Sequence, residues 1–318
     1  MFTTLVTGVA GFIGSHLAVR LLDLGHRVVG LDNFSGSHPD NLMHLKSHPH
    51  YKNFEFIEGD IRDIATCHRA VSRVDYVLHQ AALGSVPRSV KEPVLYHENN
   101  ITGTLNMLMA ARDAGVKRFV LASSSSVYGD TPTLPKHELM PPAPLSPYAV
   151  SKLTGEAYCH AFYRAYGLPT VALRYFNVFG PRQNPHSQYA AVIPKFVTAC
   201  RTNAPIHIYG DGEQTRDFTF VDNVVQANIL ACACPEDLLG QAINVGCGDR
   251  ITVNQLATQI QQFILGDNVG KGITYLPPRE GDIKDSLAAI DRLIRLGVTD
   301  PVTLEVGLSK TVSWYLAQ

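Results

Sequence analysis

A tyrosine and a lysine stand four residues apart in the segment SPYAVSK, at Tyr148 and Lys152. On a helix this spacing places both side chains on one face, one turn apart. At a separation of about 5 Å and an effective dielectric near 20, the ammonium favours the phenolate by roughly 3 kcal/mol. This would lower the pKa of the phenol by about two units, towards the range in which a general base works at neutral pH. An ordinary exposed Tyr–Lys pair is the alternative interpretation of the two residues taken alone.

Four consecutive serines, Ser123-Ser124-Ser125-Ser126, lie upstream of this pair, directly after the strand predicted for KRFVLA. In an open parallel sheet, ligands bind outside the carboxyl ends of the strands. A helix cap or a polar loop would suit any one of the four hydroxyls equally well. The YxxxK pattern downstream favours a catalytic role for at least one of them.

The beginning of the chain predicts a dinucleotide site. The segment LVTGVAGFIGSHLAVRLLDLGHRVVGLDN reads as a strand, a glycine turn, an amphipathic helix and a second strand ending at Asp32. Gly8, Gly11 and Gly14 permit a positive φ, close approach of a pyrophosphate and tight helix–strand packing. The helix N-terminus offers N–H groups to the diphosphate. A carboxylate at Asp32 accepts hydrogen bonds from ribose hydroxyls and repels a 2′-phosphate, so NAD is favoured over NADP.

Composition and charge exclude several classes of protein. The 318 residues are 45% apolar and 17% charged, which excludes wholesale disorder. The net charge of −1 gives no basic field that would recruit nucleic acid or an anionic membrane. We expect no signal peptide, because the chain goes straight into a strand, and no apolar run approaches about 18 residues. The six cysteines are scattered without zinc spacing, so we expect a cytoplasmic protein with reduced thiols and no metal.

The alternation of strand and helix patterns predicts an α/β protein with a Rossmann-like, doubly wound parallel sheet. Strands are predicted near 3–7, 27–31, 54–58, 74–79, 117–122 and 169–174, and helices near 12–24, 63–70, 97–114 and 147–166. The proline-rich stretch from Thr131 to Pro147 predicts a long surface loop. Elements beyond about residue 176 are shorter and more mixed. We therefore expect an NAD-binding domain over 1–176 and a smaller mixed α/β substrate lobe over 177–318, with segments such as 217–234 able to pack back on the first domain.

Several motifs together resemble the extended short-chain dehydrogenase/reductase superfamily: TGVAGFIG, the Asp60-Ile61 pair, QAA, the serine run followed by VYG, YxxxK and RYFNVFGPR. Within it, the chain is similar to nucleotide-sugar 4-epimerases. The segments AALGSVPRS, LSPYAVSK, YAAVIPKF, YGDGEQTRDF and PREGDIKDS most resemble the branch that interconverts UDP-N-acetylglucosamine and UDP-N-acetylgalactosamine. The resemblance runs from residue 3 to about 292.

The resemblance implies a set of NAD contacts beyond the glycines. They are Phe12 and Ile13 at the pyrophosphate, Asp32 and Asn33 at the adenosine ribose, Asp60 and Ile61 at the adenine, Gln80 and Ala82 along the nicotinamide half, Asn99 from the next helix, Lys152 and Tyr148 at the nicotinamide ribose, and Tyr175 and Val178 beside the nicotinamide ring. The positive nicotinamide would be a second cation near the phenol and would lower its pKa further.

The reaction that the resemblance implies is reversible oxidation at C4 of the sugar. Tyr148 removes the 4-hydroxyl proton while hydride leaves C4, and Ser124 hydrogen-bonds the same oxygen, with Ser125 able to assist. The 4-keto sugar turns its other face, hydride returns, and NAD is regenerated and stays bound. The family also forms homodimers through two helices of each subunit, so we expect a homodimer.

The resemblance further implies a set of contacts with the UDP-sugar. They are Asn177 at the diphosphate, Ala191, Val192 and Lys195 at the uridine, Arg216 and Arg279 as diphosphate clamps, Asp282 at the uridine ribose, and Gly84, Ser85 and Ser286 beside the C2 substituent. Related epimerases that accept only unacetylated sugars carry a bulky tyrosine where this chain has Ser286. A solvent-facing serine at a helix start is the alternative interpretation of that residue.

Neighbouring activities differ in the residues that follow the catalytic hydroxyl. Sugar 4,6-dehydratases carry an acid pair there and UDP-glucuronate decarboxylases a glutamate, whereas this chain has Ser125-Ser126. UDP-glucuronate 4-epimerase stays open, because Arg88 or Ser85 could meet a substrate carboxylate. A non-catalytic NAD-binding member of the superfamily is the remaining alternative, although such proteins usually lack the tyrosine, lysine or serine.

Overall fold

Seven parallel strands form the central sheet of the computed structural model, which describes residues 1–184, 192–266, 272–278 and 283–318. In chain order, the strands of the described residues, inside and outside this sheet, are β1 (Thr3–Thr7), β2 (Arg27–Asp32), β3 (Phe54–Glu58), β4 (Tyr76–His79), β5 (Arg118–Ser124), β6 (Thr170–Tyr175), β7 (Val178–Phe179), β8 (Ile206–Tyr209), β9 (Thr215–Arg216), β10 (Thr219–Phe220), β11 (Ala242–Val245), β12 (Ile251–Thr252) and β13 (Ile273–Leu276). The sheet order is β11-β6-β5-β4-β1-β2-β3, and each neighbouring pair is parallel. The strand order reverses between β1 and β4, which is where ligands bind in doubly wound folds. The predicted fold class is confirmed.

Helices cover both faces of this sheet. The helices of the described residues are α1 (Phe12–Asp23), α2 (Asp40–Met43), α3 (Ile64–Ala70), α4 (Val86–Lys91), α5 (Pro93–Tyr96), α6 (Gly103–Asp113), α7 (Pro147–Tyr166), α8 (Val192–Arg201), α9 (Val221–Ala231), α10 (Val253–Leu265), α11 (Asp291–Leu296) and α12 (Leu304–Leu316), of which α8, α10 and α12 pack together beside the smaller strands. One buried apolar cluster joins α1 and α9 to the sheet, and a second joins α3, α6 and α7. Burial on both faces explains why the strands read as nearly continuous apolar runs.

The predicted helix over 97–114 has a different start and an irregular beginning. The chain turns helical at Pro93, passes through a π-helical turn at His97–Thr102, and continues as α6. None of the helices in the described part of the chain is long and apolar enough to span a bilayer.

The segment assigned to the second lobe contributes to the first domain. β11 is the edge strand of the central sheet beside β6, and α9 belongs to the same apolar cluster as α1. The remaining short strands pair among themselves, β7 with β10 and β8 with β13 in parallel, and β9 with β12 antiparallel. Because β11 and α9 pack on the first domain, the packing does not follow the predicted boundary near residue 176. The division into two lobes stays a prediction about function.

The proline-rich loop between β5 and α7 is more than a surface connection. Lys136 within it is only 2% exposed, and its N–H donates to the carbonyl of Leu287 at 2.7 Å. Its own carbonyl accepts from the N–H of Ala289 at 2.9 Å. The prediction of a surface loop is wrong around Lys136, because the loop pairs its backbone with residues 287–289.

Candidate active site

The glycine positions in the turn after β1 have no room for a side chain. A Cβ at Gly14 would lie 2.1 Å from the Gly8 carbonyl oxygen, and one at Gly8 would lie 2.8 Å from the Ala81 nitrogen. Gly8 also has a φ of +66°, and Gly11 caps α1 without a side chain. Because the glycines next to α1 carry no side chain, a pyrophosphate can approach the free N–H groups at the beginning of this helix closely. The turn fits the dinucleotide that the sequence predicts.

Asp32 closes the other side of this turn with a buried carboxylate. It accepts hydrogen bonds from the Ala10 N–H at 2.9 Å, the Phe34 N–H at 2.8 Å and the Ser37 hydroxyl at 2.7 Å. A carboxylate has about four acceptor positions, so one remains for a ribose hydroxyl and a second needs Ser37 to turn away. The predicted contact with both ribose hydroxyls therefore depends on that movement.

A cavity at the carboxyl edge of the sheet brings many predicted cofactor residues together. Its predicted lining residues are Gly8, Gly11, Asp32, Asn33, Ile61, Gln80, Ala82 and Asn99. The same cavity is lined by residues that the sequence analysis missed, namely Leu31, Ser35, Gly36, Ser37, Gly59, Ala81 and Leu83. The run of small residues Ser35-Gly36-Ser37, which begins three residues after Asp32, is the signal that could have identified three of them.

The Asp60 carboxylate already accepts hydrogen bonds from two side chains. Arg62 donates to it with Nη2 at 2.7 Å, and the Asn33 amide donates at 2.8 Å. The hydrogen bond from Arg62 is the main reason why the pKa of Asp60 lies below its usual value. In this arrangement Asp60 orients Asn33, which lines the cofactor cavity.

Three side chains close a hydrogen-bonded ring at the nicotinamide end of the predicted site. The Tyr175 hydroxyl donates to Gln80 Oε1 at 3.1 Å, Gln80 Nε2 donates to Asn228 Oδ1 at 3.0 Å, and Asn228 Nδ2 donates to the Tyr175 oxygen at 2.8 Å. Asn228 lies on α9, far away in sequence, and no motif identified it. Val178 lies on β7, just beyond Tyr175.

Arg182 is another residue that the sequence analysis missed. The Pro181 carbonyl accepts a hydrogen bond from His16 at 2.9 Å, and a Cβ at Gly180 would lie 3.5 Å from the Phe12 ring, so this turn packs on the beginning of α1. The buried Nε of Arg182 has no hydrogen-bond partner among the described residues. Burial lowers the pKa of the guanidinium to about 10. This cation is a candidate ligand for the pyrophosphate.

Tyr148 and Ser124 meet at the end of β5. α7 begins at Pro147, where a proline suits the first helical position, and Ser146 caps the helix by accepting from the Ala149 N–H at 3.1 Å. This start places Tyr148 in the first turn, close enough to Ser124 at the end of β5 for the serine hydroxyl to influence the pKa of the phenol. Ser124 also accepts from the Ser126 N–H at 3.2 Å, so it caps the following turn as well. Ser125 is half-buried beside it.

The electrostatics of Tyr148 differ from the sequence-based expectation. Burial raises the pKa of the phenol, and the hydrogen bond from Ser124 only partly opposes this. The Lys152 ammonium donates to the Ala122 carbonyl at 2.7 Å and lies 5.8 Å from the centre of the tyrosine ring. Burial also lowers the pKa of Lys152 to about 8, with Glu156 opposing the shift. The predicted lowering of the phenol pKa is therefore wrong for the protein alone, because desolvation by burial outweighs the effect of Ser124.

Asn177 and Ser286 are brought together from distant parts of the chain. Asn177 Nδ2 donates to the Asp217 carbonyl at 2.9 Å and to Ser286 Oγ at 3.1 Å. Ser286 is 8% exposed and outside any helix, so the interpretation of a solvent-facing serine at a helix start is wrong. Arg216, next to Asp217 in the chain, donates from Nη1 to the Thr215 and Lys284 carbonyls, each at 2.9 Å.

The loop after β4 is linked to Tyr148 through Tyr96. Ser85 caps α4 by accepting from the Arg88 N–H at 3.2 Å, and its own N–H donates to the Tyr96 hydroxyl at 3.0 Å. The Tyr96 ring in turn meets the Tyr148 ring edge-on, with centroids 6.4 Å apart. Gly84 is exposed, and a Cβ there would meet no atom within 4 Å.

The predicted nucleotide contacts are only partly described. Val192 and Lys195 lie on α8, whereas Ala191, Arg279 and Asp282 lie outside the described residues. A cavity of about 710 Å³ lies next to the β8–β13 pair and is lined by Tyr209, Gly210, Asp211, Gln214, Tyr275, Leu276, Pro278, Ile283 and Lys284. Its two tyrosines offer apolar faces of the size that a base would need, and the sequence analysis did not identify them.

Comparison with known proteins supports the chemistry of this site. The chain is 40% identical to a UDP-glucose 4-epimerase of Mycolicibacterium smegmatis and 37% identical to a UDP-glucuronate 4-epimerase of Thermodesulfobacterium geofontis. Each alignment covers 98% of this chain, together with 98% of the first relative and 95% of the second. A structure of UDP-N-acetylglucosamine 4-epimerase from Methanobrevibacter ruminantium, in complex with UDP-N-acetylmuramic acid, superposes with a TM-score of 0.92 at 41% identity, covering 99% of this chain and 98% of that one.

The family profile agrees with the geometry. It matches residues 4–246, which include the glycine turn, the Tyr148–Lys152 pair and the Tyr175–Gln80–Asn228 ring. The cofactor of the protein is NAD, and the chain belongs to the NAD dependent epimerase/dehydratase family.

Proposed function

We propose that this NAD-dependent UDP-sugar 4-epimerase interconverts UDP-N-acetylglucosamine and UDP-N-acetylgalactosamine, and also accepts UDP-glucose and UDP-galactose. The observation that carries the proposal is the placing of Tyr148 and Ser124 together at the carboxyl edge of the sheet, with the Lys152 ammonium beside the phenol ring. These residues supply a base, a hydrogen-bond donor and a cation, the three groups that oxidation of a sugar hydroxyl requires, at the edge of the sheet where the cofactor is expected.

Each of these residues has a separate role in a reversible oxidation of the sugar. Bound NAD supplies the acceptor and donor of hydride. Tyr148 takes the proton from the sugar 4-hydroxyl, and Ser124 hydrogen-bonds the oxygen as it becomes a ketone. Lys152 stabilises the ionised phenol before the proton arrives. After the keto sugar turns over, Tyr148 returns the proton to the same oxygen, and C4 has the opposite configuration.

The N-acetyl specificity is supported by the size and position of Ser286. Its small buried side chain bonds Asn177, and Asn177 also bonds the segment that carries Arg216. A residue of this size leaves space beside C2 of the sugar, where a larger one would compete with an acetamido group. The similar structure from Methanobrevibacter ruminantium is itself a UDP-N-acetylglucosamine 4-epimerase.

UDP-glucuronate 4-epimerisation is the second candidate, which the Thermodesulfobacterium geofontis relative favours. The cation available for a substrate carboxylate near the sugar loop is Arg88. Its guanidinium, however, forms an ion pair with Glu92 at 3.0 Å, one helical turn away. A carboxylate substrate would have to compete with Glu92, so we rank this activity second.

Incubation of the purified protein with UDP-N-acetylglucosamine, followed by NMR of the anomeric protons, tests the proposal. We expect UDP-N-acetylgalactosamine to accumulate to a constant ratio without added NAD, because the cofactor is regenerated in each cycle. Parallel incubations contain UDP-glucose and UDP-glucuronate. Turnover of UDP-glucuronate alone would favour the second candidate, a 4-keto-6-deoxy sugar would indicate a dehydratase, and no turnover of any substrate would overturn the assignment.

A further inference from the structure

The turn that follows β7 contains a cation whose charge is poorly compensated by the described residues. Arg182 is half-buried in this turn, and burial lowers the pKa of its guanidinium to about 10. The acid that opposes this shift, Asp222, forms an ion pair with Lys310 at 3.3 Å. The buried Nε of Arg182 has no hydrogen-bond partner among the described residues. Because an uncompensated buried charge is unfavourable, these features suggest a place for an anionic ligand.

The backbone of Arg182 is also unusual. Its φ of +66° lies in the left-handed region, which is unfavourable for a residue with a Cβ. Such conformations cluster at ligand clamps and active sites, where the surrounding structure holds them in place. On one side of Arg182, the Pro181 carbonyl accepts a hydrogen bond from His16 at 2.9 Å. On the other side, Gln183 Nε2 donates to the Val178 carbonyl at 3.1 Å. The turn is therefore held at both ends around the arginine.

A histidine from the first domain orients the guanidinium. Arg182 Nη1 donates to His44 Nε2 at 3.2 Å, and because a guanidinium has only donors, the ring nitrogen must accept. Accepting requires a neutral ring. Burial is the main reason why the pKa of His44 is lowered to about 4, and the charges of Arg182 and His48 add to it. His44 is therefore neutral at pH 7 and can hold the guanidinium in one direction.

Two contacts locate this pair beside the glycine turn. Asn41, one helical turn before His44, donates from Nδ2 to the Ala10 carbonyl in the glycine turn at 2.9 Å. His16, which holds the turn of the arginine, follows Phe12 by one turn of α1. One helical turn advances about 5.4 Å, a distance that an arginine side chain can span. The beginning of α1, where the pyrophosphate of NAD is expected, is therefore within reach of the guanidinium.

We propose that Arg182 and His44 form a clamp that retains NAD, in which His44 directs the guanidinium to the cofactor pyrophosphate. The pyrophosphate supplies an acceptor for Nε and a negative charge, both of which the arginine needs. A guanidinium suits this role because it stays charged and donates two parallel hydrogen bonds to phosphate oxygens. Loss of the cofactor in mid-cycle would leave the sugar as a ketone, so slow release of the cofactor serves the epimerisation proposed above.

The rate at which NAD leaves the purified holoprotein tests the clamp. The holoprotein is diluted into buffer that contains an NAD-hydrolysing enzyme, which prevents rebinding. The NAD that remains in the protein is measured at intervals after desalting and denaturation. We expect Arg182→Gln to release NAD about 10- to 100-fold faster than wild type, because a charge-assisted contact with the phosphate is lost.

Arg292→Gln is the matched control. Arg292 is also half-buried and donates from Nη1 to the Ala242 carbonyl at 2.7 Å, but it lies on α11 beside the edge strand β11. Its loss should leave the rate of NAD release at the wild-type value. An equal acceleration in Arg292→Gln would overturn the clamp, because the effect would then be a general loosening of the fold.

Two variants of His44 separate its role from that of the charge. His44→Gln keeps an acceptor close to the position of Nε2 and should release NAD at nearly the wild-type rate. His44→Phe removes the acceptor, and we expect release about 3- to 10-fold faster than wild type. Equal rates in these two variants would overturn the role of His44.

Arg182→Gly keeps the test informative if Arg182→Gln fails to fold. Glycine adopts a φ of +66° without strain, so the NAD-free variant should have a Tm equal to or above that of NAD-free wild type. It should nevertheless lose NAD as fast as Arg182→Gln. Wild-type rates of release in both Arg182 variants, or a wild type that loses its NAD during desalting, would overturn the clamp. The rates are measured without sugar, so an error in the proposed substrate would leave them unchanged.

Discussion

The hydroxyl of Tyr148 lies where its ionisation is unfavourable in the protein alone, because burial raises its pKa. A general base must lose its proton at working pH, so further positive charge is required. Lys152 supplies one cation, and the nicotinamide of bound NAD is positively charged before reaction. A phenol that becomes acidic only with cofactor present would keep the base inactive in empty protein. This coupling follows from the burial of the site and could not be read from the YxxxK spacing.

At Ser286 we predict that Ser286→Tyr will abolish turnover of UDP-N-acetylglucosamine while retaining turnover of UDP-glucose. The phenol would fill the space beside C2 and would replace the Ser286–Asn177 hydrogen bond. We expect kcat/KM for the acetylated sugar to fall by about 100-fold or more, which corresponds to roughly 3 kcal/mol.

Ser286→Ala is the control for this prediction. It removes the same hydrogen bond without filling the space, so both sugars should still react. The assignment of Ser286 would be contradicted by equal kcat/KM values for UDP-N-acetylglucosamine in the wild type and in Ser286→Tyr.

Between elements, Asp217 joins segments that no sequence motif connects. This fully buried carboxylate between β9 and β10 accepts from the N–H groups of Cys247 at 2.8 Å, Gly248 at 3.1 Å and Ala288 at 3.1 Å. It thereby holds the turn after β11 and the segment that carries Ser286. Burial raises the pKa of Asp217 to about 6, and the three hydrogen bonds only partly oppose this.

Asp217 therefore gives stability a predictable dependence on pH. The folded-state pKa of about 6 lies above the usual value of 3.8, so the contribution is fully present below about 3.8 and is lost as pH rises through about 6. The difference amounts to roughly 3 kcal/mol. We expect the free energy of unfolding of wild type, relative to Asp217→Asn, to decrease between about pH 4 and pH 7. Urea unfolding of both proteins measures it, and a constant difference would contradict the prediction.

The elements that the sequence predicts well are those with strong local signals. α1, α7 and the six strands of the first domain have clear periodicity, glycines or caps, and their bounds differ from prediction by at most two residues at either end. β11 and the π-helical turn were not predicted, because both depend on packing against distant residues. Asn228 and Asp217 were not predicted either, because their hydrogen-bond partners lie tens of residues or more away along the chain. Motif resemblance located Ser286, yet only the structure shows that Asn177 is its partner.

On the scale of the whole molecule, one surface carries exposed apolar side chains from the helices expected at a dimer interface. A groove of about 440 Å³ is lined by Pro93, His97, Ile101, Pro144, Leu145, Ser146, Pro147, Val150 and Ser151. Leu145, Val150 and nearby Val94 are exposed. We propose that two copies of the chain pair through this surface, which also borders the helix of Tyr148.

A charge placed in this surface should separate the two subunits. In a twofold interface Val150→Glu would introduce its carboxylate twice, and we expect monomers by sedimentation velocity where the wild type is a dimer. Val306→Glu, at an exposed position on α12, is the control and should leave the dimer intact. A monomeric wild type, or a dimeric Val150→Glu, would contradict the predicted interface.

The role of Tyr148 as the base is tested by the ionisation of its own hydroxyl, followed by phenolate absorbance against pH. The spectrum of Tyr148→Phe is subtracted from that of wild type, with NAD bound and after NAD is removed. We predict one titrating phenol in the difference, with a pKa above the usual value of a tyrosine without NAD and clearly below that value with NAD bound. A phenol whose pKa stays above its usual value when NAD is bound would contradict the assignment of Tyr148 as the base.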